Sequence, residues 1–222
     1  MATSPTSHSP GRLRGALTLI VMAMLAAALL ATVDRFTAPH IADNIAAERL
    51  KSLRAVLPVD SYDNEPHLDI ITALDPELLG SDKPLPIYRA RLGTEPIAAV
   101  ITSVAPNGFS GYIHLLVAVR FDGEVTGVRV IEHRETPGLG DKIEAGKSNW
   151  MRGFRGLHLT DPLTDEWVLK RDGGKFDQIT GATVRSRAVL QAVHKAVLYF
   201  AAHRQEIFTL NDDQQPEPTV QN

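Results

Sequence analysis

The sequence predicts an α+β protein: a single membrane-spanning helix, then one domain built from an antiparallel sheet and a long helix. Three observations carry that expectation. Residues 15–33 form an unbroken run without charge. Between residues 87 and 132 apolar side chains follow a period of two, broken at turn signals. After Gly181 the period becomes helical and holds to about His203.

Residues 1–14 are polar and carry Arg12 and Arg14 without an acid. The run 15–33 would rise about 28 Å as a helix, close to the thickness of a bilayer's hydrocarbon core. Thr18 and Thr32 are its only hydroxyl residues, and a helix can bond both back to its own carbonyls. A cleaved signal sequence is the competing reading, but its apolar core is shorter, about 7–15 residues. By the positive-inside rule, the two arginines place residues 1–14 in the cytoplasm and everything after Asp34 across the membrane.

Residues 34–86 are expected to link anchor and domain. Within them 38–57 reads as an amphipathic helix, with Ile41, Ile45, Leu50, Leu53 and Leu57 as its stripe and Pro58 as its stop. Residues 59–86, rich in Asp and Pro, read as an irregular connector with a helical turn near Pro76–Leu79.

The domain is expected over 87–205. Ile87–Leu92 and Ile97–Val104 flank Gly-Thr-Glu-Pro as a hairpin. Residues 112–121 and 125–132 form a second hairpin around Asp122-Gly123, a strong turn signal. Trp167–Lys170 reads as a further strand closed by Asp172-Gly173-Gly174. The final helix should bury Val184, Ala188, Ala192, Ala196 and Phe200 together with Val189, Val193 and Val197. Residues 206–222 read as a flexible polar tail.

Composition narrows the function. A net charge of −3 with no basic cluster argues against a nucleic-acid partner. With no cysteine, the chain has no Cys-ligated iron–sulfur or zinc site of its own. None of its eight histidines forms an HxxxH pair, so no metal site is expected. Redox work would need a bound organic cofactor. No residue stands out as a catalytic acid, base or nucleophile of a complete enzyme, and the GxGxxG dinucleotide fingerprint is missing.

The segment Asp177-Gln-Ile-Thr180-Gly181-Ala182-Thr183 precedes the long helix. Thr180 is a candidate N-cap, and Gly181 allows a close backbone approach. The first turn's unpaired amides suit a phosphate, with Arg185 or Arg187 adding charge. A plain capped helix that binds nothing fits the same residues.

This segment resembles the Dxx[ST]GAT signature of the FMN-binding domain found in the Rnf electron-transport complex and the sodium-pumping quinone reductase. The resemblance implies FMN esterified through its phosphate to Thr183 by a flavin transferase, with Asp177, Thr180, Gly181 and Ala182 in the recognition motif. A second stretch, His133-Arg-Glu135-Thr136-Pro137-Gly138-Leu139-Gly140-Asp141-Lys142, is similar to the loop that lies against the flavin ring in the RnfG family. That likeness implies contacts from Glu135, Thr136 and Leu139. Read alone, the stretch is a type II turn with Pro137 and Gly138 at its centre.

The resemblance covers most of residues 87–200 and the anchor. It implies an electron-relay subunit of an ion-translocating NADH/ferredoxin oxidoreductase, working with other subunits of the complex in a bacterial inner membrane, with its FMN domain periplasmic. Two alternatives remain: the equivalent FMN-bearing component of the sodium-pumping reductase, whose loop and length fit less well, and a non-redox anchored scaffold.

Overall fold

In a computed structural model, residues 10–57, 61–161 and 164–209 are described. The chain divides into two compact units, Met1–Arg49 and Leu50–Asn222. Helix α1 spans Pro10–Val56 and supplies the described part of the first unit and the opening of the second. The arginines at 12 and 14, Ile41, Pro58 and the tail beyond Thr209 lie outside the residues whose side chains are described.

In the first unit, Gly15–Ala38 is helical, apolar and long enough to cross a membrane. Its side chains are exposed, among them Leu19, Leu30 and Phe36. Thr32 donates its hydroxyl to the Ala28 carbonyl at 2.7 Å, so the polar group is satisfied within the helix.

The second unit is a five-stranded antiparallel meander in the order β1-β2-β3-β4-β5. The strands are β1 (Ile70–Ala73), β2 (Leu85–Leu92), β3 (Glu95–Ala105), β4 (Ile113–Arg120) and β5 (Val125–Glu132). Both expected hairpins form. Gly123, at φ 102°, turns β4 into β5, with its amide on the Arg120 carbonyl at 2.8 Å. Strand β1 lies within the stretch expected to be an irregular connector. Four residues are too few to show a period, and pairing with β2 is what makes them a strand. The turn at 76–79 is present.

The expected period of two does not hold in the central strands: both faces of the sheet are covered, so β3 and β4 are buried almost continuously. Ile87, Ala99, Ile101, Leu115, Val117 and Val119 pack with helix α2 (Thr183–Thr209). Tyr88, Ala90, Ala98, Val100, Leu116 and Ala118 pack with Leu53, Val56 and Leu57. Of the amphipathic stripe proposed for 38–57, Leu53 and Leu57 are buried, whereas Ile45 is exposed.

Small residues let the end of α1 lie close to the sheet. A Cβ on Gly127 would stand 2.9 Å from the Val56 Cα and 3.0 Å from its carbonyl oxygen. Thr126 donates its hydroxyl to that carbonyl at 2.7 Å, satisfying an orphan acceptor at the helix end. Gly127→Val should therefore lower stability by about 1–3 kcal/mol through overpacking. Urea unfolding of the detergent-purified chain measures this; an unchanged midpoint would show that the helix end yields freely.

At the other end of α2, Arg89 and Arg91 donate to the Ile207 and Phe208 carbonyls at 3.3 and 3.0 Å. Both arginines also pair with Asp69, which fixes the 61–69 segment against β2.

Residues 133–182 run through short 3-10 turns, of which Trp150–Phe154 packs against β5. The strand expected at Trp167–Lys170 does not form. Trp167 and Leu169 are buried and Lys170 is exposed as the alternation demands, but among the described residues only the isolated bridge of Leu169 to Phe176 lies alongside. The chain instead doubles back: the Lys170 amide donates to the Phe176 carbonyl at 2.7 Å, and Lys170–Asp172 is a 3-10 turn ending at Gly173, φ 95°. This meander is held by rings in sequence. Trp150 meets Phe154 at 5.2 Å, Phe154 meets Phe176 at 5.7 Å, Phe176 meets Trp167 at 5.2 Å, and Trp167 stacks on His194 at 4.9 Å.

Candidate functional site

Helix α2 opens at Thr183. The expected N-cap, Thr180, is instead exposed three residues upstream, in a turn where Gly181 takes φ 79° and the Ala182 amide donates to the Ile179 carbonyl at 2.9 Å. The left-handed Gly181 delays the helix, so Ala182 takes the cap position and its carbonyl accepts the Ser186 amide at 2.9 Å. An alanine offers no side-chain oxygen to the amides of the first turn.

Ser186 locks this entry. Its buried hydroxyl donates to the Ala182 carbonyl and accepts the Ile179 amide, both at 3.0 Å. Thr183 differs from Ser186 because its side chain is partly exposed. Arg171 donates to the Thr183 hydroxyl at 3.3 Å.

The two arginines expected to add charge for a phosphate, Arg185 and Arg187, are both paired with carboxylates. Arg187 pairs with Asp172 at 2.6 Å, and Arg185 is buried against Glu135. Arg171, which sequence reasoning missed, is the arginine that reaches Thr183. Its one signal was its place next to the Asp172-Gly173-Gly174 turn. Asp177 is exposed; its carboxylate pairs with Lys170 at 2.7 Å, and its carbonyl accepts the Trp150 indole N–H at 2.6 Å.

The second motif reaches the same helix. Thr136–Leu139 forms the expected turn, with Gly138 at φ 79° and the Leu139 amide 3.3 Å from the Thr136 carbonyl. Thr136 and Leu139 face solvent. Glu135 does not: its carboxylate bonds the Arg185 guanidinium and accepts the Ser110 amide at 3.0 Å. Burial pushes the Glu135 carboxyl up, but bonds from Arg185 and from the Ser110 and Phe109 amides outweigh it and hold the pKa below the usual carboxylate value. The Phe109 ring covers Arg185 at 4.7 Å from its centroid. Phe109 was also missed, although an aromatic within Asn107-Gly108-Phe109-Ser110-Gly111 is a legible oddity.

Successive helix positions turn by about 100°, which orders these groups around the start of α2. Thr183 and Arg187 face the 170–172 turn, and Arg185 faces the Glu135 loop. Val184 lies between those two directions. It was expected in the core but is 48% exposed, because the helix has not yet reached the sheet. The exposed groups around the helix start thus run from a hydroxyl with an arginine beside it to three apolar side chains: Val184, Phe109 over Arg185, and Leu139 on the neighbouring turn.

That sequence of groups fits FMN: free amides and Arg171 suit a phosphate at Thr183, and the apolar side chains suit a flat ring system. A cleft of about 460 Å³ lies elsewhere, lined by apolar Ala55, Val128, Ala145 and Met151 as well as Ser148, Arg152 and Arg155, and by none of the motif residues. Among the described residues no cluster of His, Asp and Glu is arranged to hold a metal.

Comparison with known proteins agrees with both motifs. Residues 108–198 match the FMN-binding domain family, and residues 12–56 match the RnfG N-terminal region. The G component of the ion-translocating oxidoreductase complex of Pseudomonas aeruginosa is 47% identical over 195 residues, covering 88% of this chain and 91% of that one. The Yersinia pestis protein of the same name is 45% identical over 186 residues, covering 84% and 88%. A solved structure, the C component of the Na(+)-translocating NADH-quinone reductase of Parabacteroides distasonis, overlaps 68% of this chain and 73% of its own at 18% identity, with a TM-score of 0.44. With extensive identity along nearly the whole length of such relatives, the chain belongs to the RnfG family, the G components of ion-translocating oxidoreductase complexes.

Proposed function

We propose that this chain is an electron-relay subunit anchored in a bacterial inner membrane, carrying FMN esterified to Thr183 and serving an Rnf-type, ion-translocating complex. The carrying observation is the Thr183 hydroxyl, the part-exposed one at the opening of α2, with Arg171 beside it. Arg171 and the first-turn amides would hold the phosphate, while Val184, Leu139 and Thr136 would face the ring. Bound FMN would supply a centre that takes one or two electrons, joining two-electron donors to one-electron carriers. Asp177, Thr180, Gly181 and Ala182 would shape the segment that a flavin transferase recognises. Partner subunits would hold the NADH site and iron–sulfur clusters, since this chain has no cysteine.

Peptide mass spectrometry tests the reading directly, on chain produced together with the transferase. The FMN mass increment is expected on the fragment holding residues 176–185. A denatured chain that is colourless and non-fluorescent would favour the scaffold reading instead.

Topology follows from the anchor. With Arg12 and Arg14 in the cytoplasm, a reporter fused after residue 222 should be active only if it functions in the periplasm. Activity of a strictly cytoplasmic reporter there would reverse the orientation, and a mature N-terminus near residue 31 would show cleavage in place of anchoring.

A further inference from the structure

Glu135 and Arg185 are an unusual pair for this surface. Their side chains are 1% and 7% exposed, at the rim of a site whose other motif residues mostly face solvent. The pair is also caged. A Cβ on Gly140 would collide with the Arg185 guanidinium and stand 2.8 Å from the Glu135 Cβ. One on Gly108 would stand 2.9 Å from the carboxylate oxygen. Phe109 closes the outer side of the guanidinium.

A buried ion pair is a poor source of stability, because desolvating two charges offsets most of their attraction. Its surroundings are, however, poorly screened, so any imbalance of charge there is felt strongly by a nearby group. We propose that Glu135 is a charge-compensating positioning residue. It neutralises Arg185 beneath Phe109 and so removes that arginine's charge from the Glu135-loop side of the flavin-facing surface, holding the flavin's reduction potential down. This rests on the FMN reading above. Flavin reduction adds negative charge, so an uncompensated Arg185 stabilises the reduced form and raises the potential. An added carboxylate acts in the opposite direction.

The test is spectroelectrochemical titration of the full-length, detergent-purified chain loaded with FMN by the transferase. Glu135→Gln should shift the oxidised-to-reduced ratio at fixed potential at least tenfold towards the reduced form, a rise of about 30 mV for a two-electron couple. Phe109→Glu alters an exposed residue beside the guanidinium and should shift the ratio at least tenfold the other way. The pair Glu135→Gln with Arg185→Met removes both charges and should return the potential to within that margin of the wild type. If Glu135→Gln fails to fold, Phe109→Glu alone decides. An unmoved potential in Phe109→Glu would overturn the proposal, and so would a double variant displaced as far as Glu135→Gln, since loop displacement would then explain both. Wild-type chain without FMN on Thr183 would defeat the earlier reading; loaded chain with unmoved potentials defeats only this one.

Discussion

Thr183→Val should fold, insert and contain no covalent FMN. Valine has nearly the shape of threonine and lacks only the hydroxyl oxygen to which the phosphate would be joined. The side chain is partly exposed and its one hydrogen bond is from Arg171 at 3.3 Å, so little stability depends on it. The other hydroxyls near the helix start should behave differently. Ser186 is buried with both roles of its hydroxyl in use, so Ser186→Ala should lower stability by about 1–3 kcal/mol through the unpaired Ile179 amide, with attachment unchanged in the folded fraction. Thr180 is exposed in the preceding turn and caps nothing, so Thr180→Val should cost little stability, and any loss of loading would report recognition by the transferase. Mass spectrometry of the 176–185 fragment separates the three. FMN found intact in Thr183→Val, or found on Ser186, would end the assignment.

The parts of this protein legible in sequence were those whose residues state their own geometry. The uncharged run 15–33, the apolar strand segments of β2 to β5, the Asp122-Gly123 turn and the left-handed glycine at 138 needed no partner to be read. Elements made by a partner were not legible. Strand β1 exists because β2 lies beside it, and Trp167–Lys170 alternates correctly yet has no neighbouring strand to join. The candidate site divides in the same way. Thr183 and the 135–140 turn could be picked out from their motifs. The assignment of arginines could not, because Arg171, Arg185 and Arg187 all lie close to the site along the chain, and only the fold shows which partner each takes. Thr180 was misread for a related reason. A threonine before a helix favours a cap, but the positive φ at Gly181 moves the helix start to Thr183, beyond its reach.

The 176–182 segment packs beside a core that has no regular strand, and Phe154→Ala should expose its dependence on that core. Phe154 is 1% exposed, meeting Trp150 edge-on at 5.2 Å and Phe176 in a stack at 5.7 Å. Trp150 in turn donates its indole N–H to the Asp177 carbonyl at 2.6 Å, directly at the start of the 177–183 motif. Removing a buried phenyl ring costs about 3–5 kcal/mol, a large part of the roughly 5–15 kcal/mol that typically holds a domain together. Urea unfolding should therefore shift by that amount, and loading of Thr183 should fall because the 176–182 segment loses its support. Phe154→Leu keeps most of the volume and should recover most of both effects. Trp150→Phe separates the two roles: it preserves the ring contact but deletes the N–H donor, so it should reduce loading more than stability. A Phe154→Ala chain that unfolds within about 1 kcal/mol of the wild type would show that the aromatic row is not what supports the 176–182 segment. Wild-type loading in Trp150→Phe would show that the bond to the Asp177 carbonyl is dispensable.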